Sequence, residues 1–136
     1  MGRALTPLRM ETDLPPYAAL LGLRTERPDG ELLWVMPFSD AVLGRPGFLH
    51  GGAIAGLLEF AALGAVHDRL AGEKVSLKPI NVTVNFMRGG VEHDTFAAAV
   101  ISRLGKRVAN VEAFAWQRER DKPIASARMN LLLRRE

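Results

Sequence analysis

The sequence predicts an α+β domain in which one long central helix is wrapped by a curled, mostly antiparallel sheet of about six strands. The chain of 136 residues has the length of a single domain with a real core. Residues 53–66 are all apolar or glycine except Glu59, which is typical of a helix surrounded by protein. Two segments before this helix and four after it have the pattern of strands. Because one flat sheet cannot cover such a helix, we expect the sheet to curl.

The part of the chain before the long helix contains a short helix and two strands. Pro15 and Pro16 begin the short helix, near the first turn where proline is favoured. The predicted order is a loose leader (1–12), a short helix (15–21), a strand (22–27), a tight turn (28–30), a second strand (31–38) and a loop (39–49). In the second strand the apolar side chains that share one face are Leu32, Trp34, Met36 and Phe38.

The long helix is predicted over residues 51–70, with a C-terminal stop at 71–74. Short turns join the last strands, so we expect that part of the sheet to be antiparallel. The four predicted strands are 80–86, 95–104, 108–118 and 124–133. In the last of them the residues on one face are Ala125, Ala127, Met129, Leu131 and Leu133.

Composition limits the classes of function. With 48% hydrophobic and 24% charged residues, the chain resembles an ordinary globular protein. It has no cysteine, which excludes disulfides, thiolate metal sites and a cysteine nucleophile. The three histidines have no metal-ligand spacing, so no metal is expected. The central apolar run is shorter than a membrane span, and the first ten residues lack the apolar core of a signal peptide. We therefore expect a cytoplasmic protein that does not bind membranes.

The net charge is only +3, although the pI is about 9.8. No basic run is longer than Arg134-Arg135, and no nucleic-acid readout motif is present. Nucleic acid is therefore not an expected partner. A small polyanionic ligand, such as a nucleotide-bearing cofactor, fits the positive charge equally well.

The start of the long helix and its one acidic residue are the first functional candidates. The segment His50-Gly51-Gly52 opens the helix, where first-turn N–H groups are unpaired and carry the positive end of the dipole. Glycines would let a ligand approach these amides. A buried carboxylate such as Glu59 needs a partner, water or a raised pKa. An amide donor and a buried carboxylate are two parts that acyl-transfer hydrolysis requires. The structural alternative is that Glu59 lies on a solvent-exposed edge of the helix or pairs with a distant arginine.

The element order, the length and His50-Gly51-Gly52 with an acid nine residues after the histidine resemble the hotdog-fold acyl-CoA thioesterases. The most similar branch is the phenylacetyl-CoA thioesterase-like (PaaI-like) group, over residues 17–133. The resemblance implies that the Gly51 amide polarises the thioester carbonyl and that Glu59 is the general base or the nucleophile. It also implies a homodimer or homotetramer with active sites at the subunit interface. Coenzyme A would enter as part of the substrate, with no separate cofactor.

The same resemblance suggests substrate-binding residues. The turn Gly105-Lys106-Arg107 is similar to a Gly-Arg turn that lies near bound CoA, so Lys106 and Arg107 are candidates. Arg88 belongs to a strand end that resembles the family's Phe-Leu-Arg-Pro, with glycine in place of proline. His50 is either in catalytic contact or a helix cap, and Gly52 either admits the ligand or permits close packing. Gly44 stands where the family often carries an Asn or Gln that orients the thioester or water.

Two other functions remain open from the sequence. One is hydration or dehydration of acyl thioesters by a hotdog enzyme, although such enzymes pair their acid with a histidine on another element. The other is a non-catalytic acyl-CoA-binding module, which the missing side chain at Gly44 favours. Release of free thiol, a change in enoyl absorbance, or binding without turnover would distinguish the three.

Overall fold

The computed structural model describes residues 14–135, so the expected leader (1–12) lies outside the described residues. The helices are α1 (Pro16–Leu20) and α2 (Gly51–Arg69), with single 3-10 turns at Pro28–Gly30 and Asp40–Val42. The strands are β1 (Arg24–Glu26), β2 (Leu33–Met36), β3 (Val75–Phe86), β4 (Thr95–Leu104), β5 (Val108–Trp116) and β6 (Ala125–Arg135).

The six strands form one antiparallel sheet in the order β1-β2-β4-β5-β6-β3. The chain runs from β2 through α2 to β3 at the far edge of the sheet, and the later hairpins fill the space between them. This is the predicted arrangement of one long helix and a curled antiparallel sheet, so the predicted hotdog fold is confirmed.

Helix α2 crosses the concave face of the sheet and contacts strands β2 to β6. The predicted face of β6 is buried as expected, and the predicted face of β2 packs against the same core. The strand positions beneath the helix are mostly small, which allows the helix backbone to come close to the sheet. The alanines of β4, β5 and β6 that belong to the core under the helix are Ala97, Ala109, Ala113, Ala115, Ala125 and Ala127.

A glycine in α2 makes room for an aromatic ring. An added Cβ at Gly64 would lie 2.5 Å from Nε1 of Trp34, far closer than atoms can approach. The indole of Trp34 also stacks on Phe60, with ring centroids 6.0 Å apart. The missing side chain at Gly64 therefore leaves the space in which the indole packs.

The start of β3 differs from the sequence prediction. Strand β3 begins at Val75 and not at Ile80, because β6 continues to Arg135 and supplies a pairing partner along this whole length. The pairing of β3 with β6 has a register shift between Pro79 and Asn81. On α2, His67 is half-buried, and burial lowers its pKa to about 4.

Candidate active site

A small loop delivers the chain to the start of α2. The amide of His50 donates to the carbonyl of Val42 at 2.8 Å, and the amide of Gly44 donates to the carbonyl of Phe48 at 3.0 Å. The amide of Leu49 donates to the carbonyl of Gly90 at 2.9 Å, which ties this loop to the segment after β3. The position of the first helical turn is therefore held from two sides.

His50 is the N-cap residue of α2. Its Nδ1 accepts a hydrogen bond from the amide of Gly52 at 2.8 Å, so the ring proton of the neutral imidazole lies on Nε2. An added Cβ at Gly52 would lie 2.9 Å from the ring, so the glycine is what lets the ring fold back. The structure thus places His50 as a helix cap, and a catalytic contact by this residue stays a prediction.

The N–H of Gly51 has a different environment. No acceptor for it is present in the part of the chain that the structure describes, whereas the Gly52 amide is occupied by His50. The ring of Phe86 lies 3.4 Å from where a Gly51 Cβ would be. The positive end of the helix dipole adds to this unpaired donor, so the first turn of α2 presents one free N–H to an incoming oxygen.

This first turn opens onto a cavity of about 700 Å³, which we call the helix-start cavity. Four of the predicted site residues lie around it together. The residues that line it are Leu43, Gly44, Arg45, Phe48, Leu49, His50, Gly51, Ile54, Phe86, Met87, Arg88, Gly89 and Gly90. Its walls are largely apolar, with Arg45 and Arg88 as the cationic side chains, which suits a ligand with an apolar body and anionic groups.

The glycine at position 44 has a local explanation. An added Cβ there would lie 3.0 Å from the Cα of His50, because the loop folds tightly against the start of the helix. A side chain at this position would require that backbone to shift. Of the two charged residues in the loop 39–49, Arg45 lines the cavity, whereas Asp40 does not.

Glu59 lies two turns further along α2 than Gly51. At 1.5 Å rise per residue the two positions are about 12 Å apart along the helix axis. Glu59 is half-buried on a partly open stripe that it shares with Ala55 and Leu63. Burial raises the pKa of its carboxyl. Within residues 14–135 this carboxylate has no hydrogen bond and no ion pair, so the structure does not contain the arginine pairing considered from the sequence.

Lys106 and Arg107 lie at the opposite end of the molecule. They form the turn between β4 and β5, where Lys106 lines a surface depression with Arg69 and Arg135 beyond the C-terminal end of α2. The helix of 19 residues separates them from Gly51 by nearly 30 Å. Within one protomer the structure does not bring this turn to the helix-start cavity, so its role in binding substrate stays a prediction.

The structure adds residues that the sequence analysis did not single out. Phe48 and Phe86 supply aromatic walls of the helix-start cavity, and a neighbouring depression is lined by Arg118 and Lys122. Phe86 belongs to the same strand end as Arg88, but no local pattern marks Phe48, Arg118 or Lys122, because they come from segments far apart in the chain. The alternating charges of residues 117–122 are those of an exposed turn.

Two kinds of feature are absent from the described residues. In residues 14–135 no group of three or more His, Cys, Asp or Glu side chains could hold a metal ion. In the same part of the chain no helix is long and apolar enough to cross a membrane.

Comparison with known proteins connects this geometry to a family. The model of the "Thioesterase superfamily" matches residues 46–124. A phenylacetic acid degradation-related protein of Ralstonia eutropha is 24% identical, with a TM-score of 0.77 over 88% of this chain and 91% of its own. A mutant thioesterase of Pseudomonas aeruginosa is 27% identical, with a TM-score of 0.75 over 88% and 86%. A Bacillus halodurans protein solved with CoA is 20% identical, with a TM-score of 0.80 over 93% and 85%. No curated protein matches the chain significantly.

Proposed function

Because the chain belongs to the thioesterase superfamily and is a thioester hydrolase, we propose that it cleaves acyl- or aroyl-CoA with the Gly51 amide as oxyanion donor and Glu59 as general base. The coenzyme A part of this substrate is supported by the structural neighbour solved with CoA. The unpaired N–H at the start of α2 supports the role of Gly51 as oxyanion donor. The position of Glu59 on the partly open stripe of α2 supports its role as general base.

The observation that carries the proposal is the unpaired N–H of Gly51 at the edge of the helix-start cavity. A thioester carbonyl oxygen gains negative charge when its carbon is attacked, and a preorganised amide at a helix N-terminus stabilises that charge. The Gly52 amide cannot serve because His50 already occupies it. One helix therefore offers one donor, and that donor faces a cavity large enough for a substrate.

The separation of Gly51 and Glu59 implies that two protomers build one site. A general base must come within about 3 Å of the proton that it removes, directly or through one water. Groups that lie about 12 Å apart along one helix cannot both reach one carbonyl carbon. We propose that Glu59 of the partner subunit faces the helix-start cavity, and that a two-fold axis creates the second site in return.

The surfaces that such a dimer would bury are available. Strand β3 is one of the two edge strands of the sheet and, at 12 residues, a long edge that invites pairing with another chain. Its side chains Ile80 and Phe86 are 53% and 57% exposed, although both are large and apolar. The partly open stripe of α2 around Glu59 is a further surface of this kind, and a second copy that covered both would remove apolar surface from water.

The chemistry requires only water as the second reactant. The Glu59 carboxylate takes a proton from water as the hydroxyl adds to the thioester carbon, and the Gly51 N–H donates to the resulting oxyanion. The C–S bond then breaks, and the proton returns to the thiolate. The products are a carboxylic acid and free CoA. Direct attack by the carboxylate is the alternative in which Glu59 is the nucleophile.

A thiol-release assay across short, long and aromatic acyl-CoAs tests the function. We expect a stoichiometric increase in free thiol with at least one of these classes. A change in enoyl absorbance without thiol release would indicate a hydratase or dehydratase. Binding without any turnover would indicate a binding module, and either outcome would contradict the proposal.

A further inference from the structure

A second cavity of about 340 Å³ adjoins the helix-start cavity. The two cavities share Arg88 and Gly89 as a common wall, so a long ligand could extend from one into the other. We call the second one the hairpin cavity, because most of its lining comes from the β5–β6 hairpin. The residues that line it are Arg88, Gly89, Val91, Gln117, Arg118, Glu119, Lys122 and Ile124.

The hairpin cavity is electropositive. Three cationic side chains and one carboxylate line it, a net charge of +2 within a small volume. Lys122 contacts Glu119 at 3.2 Å, but both side chains are more than half exposed, and such a pair is weak in water. Arg118 contacts Nε2 of His93 at 2.8 Å, a partner that brings no negative charge to the guanidinium. An anion would therefore find cationic donors that the protein neutralises only in part.

The walls of the hairpin cavity are braced. The Gln117 side chain accepts from the amide of Val91 at 3.0 Å and donates to the carbonyls of Val91 and His93 at 2.8 and 3.2 Å. The amides of Met87 and Arg88 both donate to the carbonyl of Ile124, at 2.8 and 3.2 Å. These bonds hold both segments that carry the cationic side chains, the one after β3 and the one after β5, so little ordering is needed when a ligand binds.

We propose that the hairpin cavity binds the phosphate groups of the substrate's CoA moiety through Arg118 and Lys122, with Arg88 at the boundary between the two cavities. This inference rests on the proposed function, since it assigns the anionic end of the same substrate. The thioester would lie at the Gly51 amide in the helix-start cavity, and the pantetheine arm would pass Arg88. Guanidinium and ammonium groups are the usual partners of phosphate oxygens.

This assignment competes with the one made from the sequence. The turn with Lys106 and Arg107 resembles a CoA-contacting turn, but it lies beyond the other end of α2 in the same protomer. The hairpin cavity touches the helix-start cavity directly and requires no second protomer for the phosphates. The two assignments therefore predict that phosphate binding depends on different side chains, Arg118 and Lys122 in one case and Lys106 and Arg107 in the other.

The test uses adenosine 3′,5′-bisphosphate as the probe, because it carries phosphates and no thioester. Its Kd is measured by calorimetry for the wild type and for three double variants. R118A/K122A tests the hairpin cavity, K106A/R107A tests the turn, and R24A/R128A removes the same charge from β1 and β6. The last pair is the charge-matched control, because both of its side chains lie in exposed ion pairs away from the two cavities. Thermal unfolding checks that all variants are folded.

We expect R118A/K122A to weaken probe binding by at least about tenfold, since hydrogen bonds to charged groups are individually worth about that factor. KM should rise for an acyl-CoA but not for the matching acyl-pantetheine, which lacks the nucleotide, and kcat should change little. The inference would be overturned by an unchanged Kd in R118A/K122A or by a loss of binding in K106A/R107A alone. It would also be overturned by an equal loss in the R24A/R128A control, or by a wild type that does not bind the probe. Probe binding that depends on Arg118 and Lys122 without any thiol release would support the anion site and contradict the proposed function.

Discussion

Replacement of Glu59 by glutamine separates a catalytic carboxylate from a structural one. Glu59→Gln keeps the size and polarity of the side chain but removes its basic oxygen. In the described residues no arginine or lysine contacts this carboxylate, and burial raises its pKa. A charged Glu59 therefore costs folding free energy at neutral pH, and the variant removes that cost.

The two roles predict opposite results. If Glu59 is the general base, kcat for thioester cleavage falls by about 10²-fold or more, equivalent to roughly 3 kcal/mol of barrier. Stability stays equal or increases, because the raised pKa means that the wild type loses stability as the pH rises from the unfolded value through the folded value. If Glu59 instead balanced a buried cation, the variant would lose about 3–5 kcal/mol, on the order of 10–20 °C in melting temperature.

The assay combines thiol release with thermal unfolding over a pH series at one protein concentration. The wild type should gain kcat/KM as the pH rises through the pKa of Glu59, and the variant should lack this increase. The matched control is Glu112→Gln, which changes an exposed carboxylate paired with Arg128 on the outer face of the sheet. Both activity and melting temperature should change little in the control.

One result would refute the reasoning. A Glu59→Gln protein that melts much earlier, yet keeps its specific activity when folded, would show that the carboxylate is structural. The general-base role would then have to be withdrawn, whereas the Gly51 amide could still be tested on its own.

Three further substitutions test the helix cap, the half-buried histidine and the proposed dimer. Gly52→Ala places a Cβ 2.9 Å from the His50 ring, so we expect the ring to move and the cap to be lost. Stability should fall by about 1 kcal/mol and kcat should be lower, and an unchanged kcat would contradict the link between cap and site. Burial lowers the pKa of His67 to about 4 from 6.5, so between these pH values the native state binds fewer protons than the unfolded state. Stability should therefore fall as the pH drops through that window, by on the order of 1–2 kcal/mol after allowance for partial exposure. His67→Gln should flatten this pH dependence of stability, measured by denaturant unfolding. Val82→Lys on the exposed edge of β3 should shift sedimentation towards the monomer and reduce activity in parallel, and a fully active monomer would contradict a shared site.

Much of the fold could be predicted from local pattern. The run around Glu59 is apolar on every side, and a helix is the structure that satisfies its backbone without polar neighbours. Strand β4 was predicted with its observed bounds, Thr95–Leu104, because turn residues stand at both ends. The start of β3 could not be predicted in this way, since Val75 becomes part of the strand only through its pairing with β6.

The candidate site was only partly accessible from the sequence. His50, Gly51 and Glu59 stand close together in the chain, so their spacing on a helix could be worked out from the rise per residue. The rotamer of His50 decides that the Gly52 amide is capped while the Gly51 amide stays unpaired. No residue pattern indicates that rotamer. Whether Glu59 pairs with an arginine likewise depends on the positions of the neighbouring side chains, which the sequence does not give.

The sequence by itself determined the elements of this protein: their order, the long helix, and the acid and glycines placed along it. These depend on periodicity and on backbone preference, which act between residues a few positions apart. The tertiary structure decided which distant segments meet. It brought Gly44 and Arg88 to the start of α2, left Lys106 and Arg107 beyond its other end, and placed Arg118 and Lys122 beside Arg88. The physical reason is that the pairing of β3 with β6 and the packing of α2 on the sheet set these distances, and both arise between residues far apart in the chain.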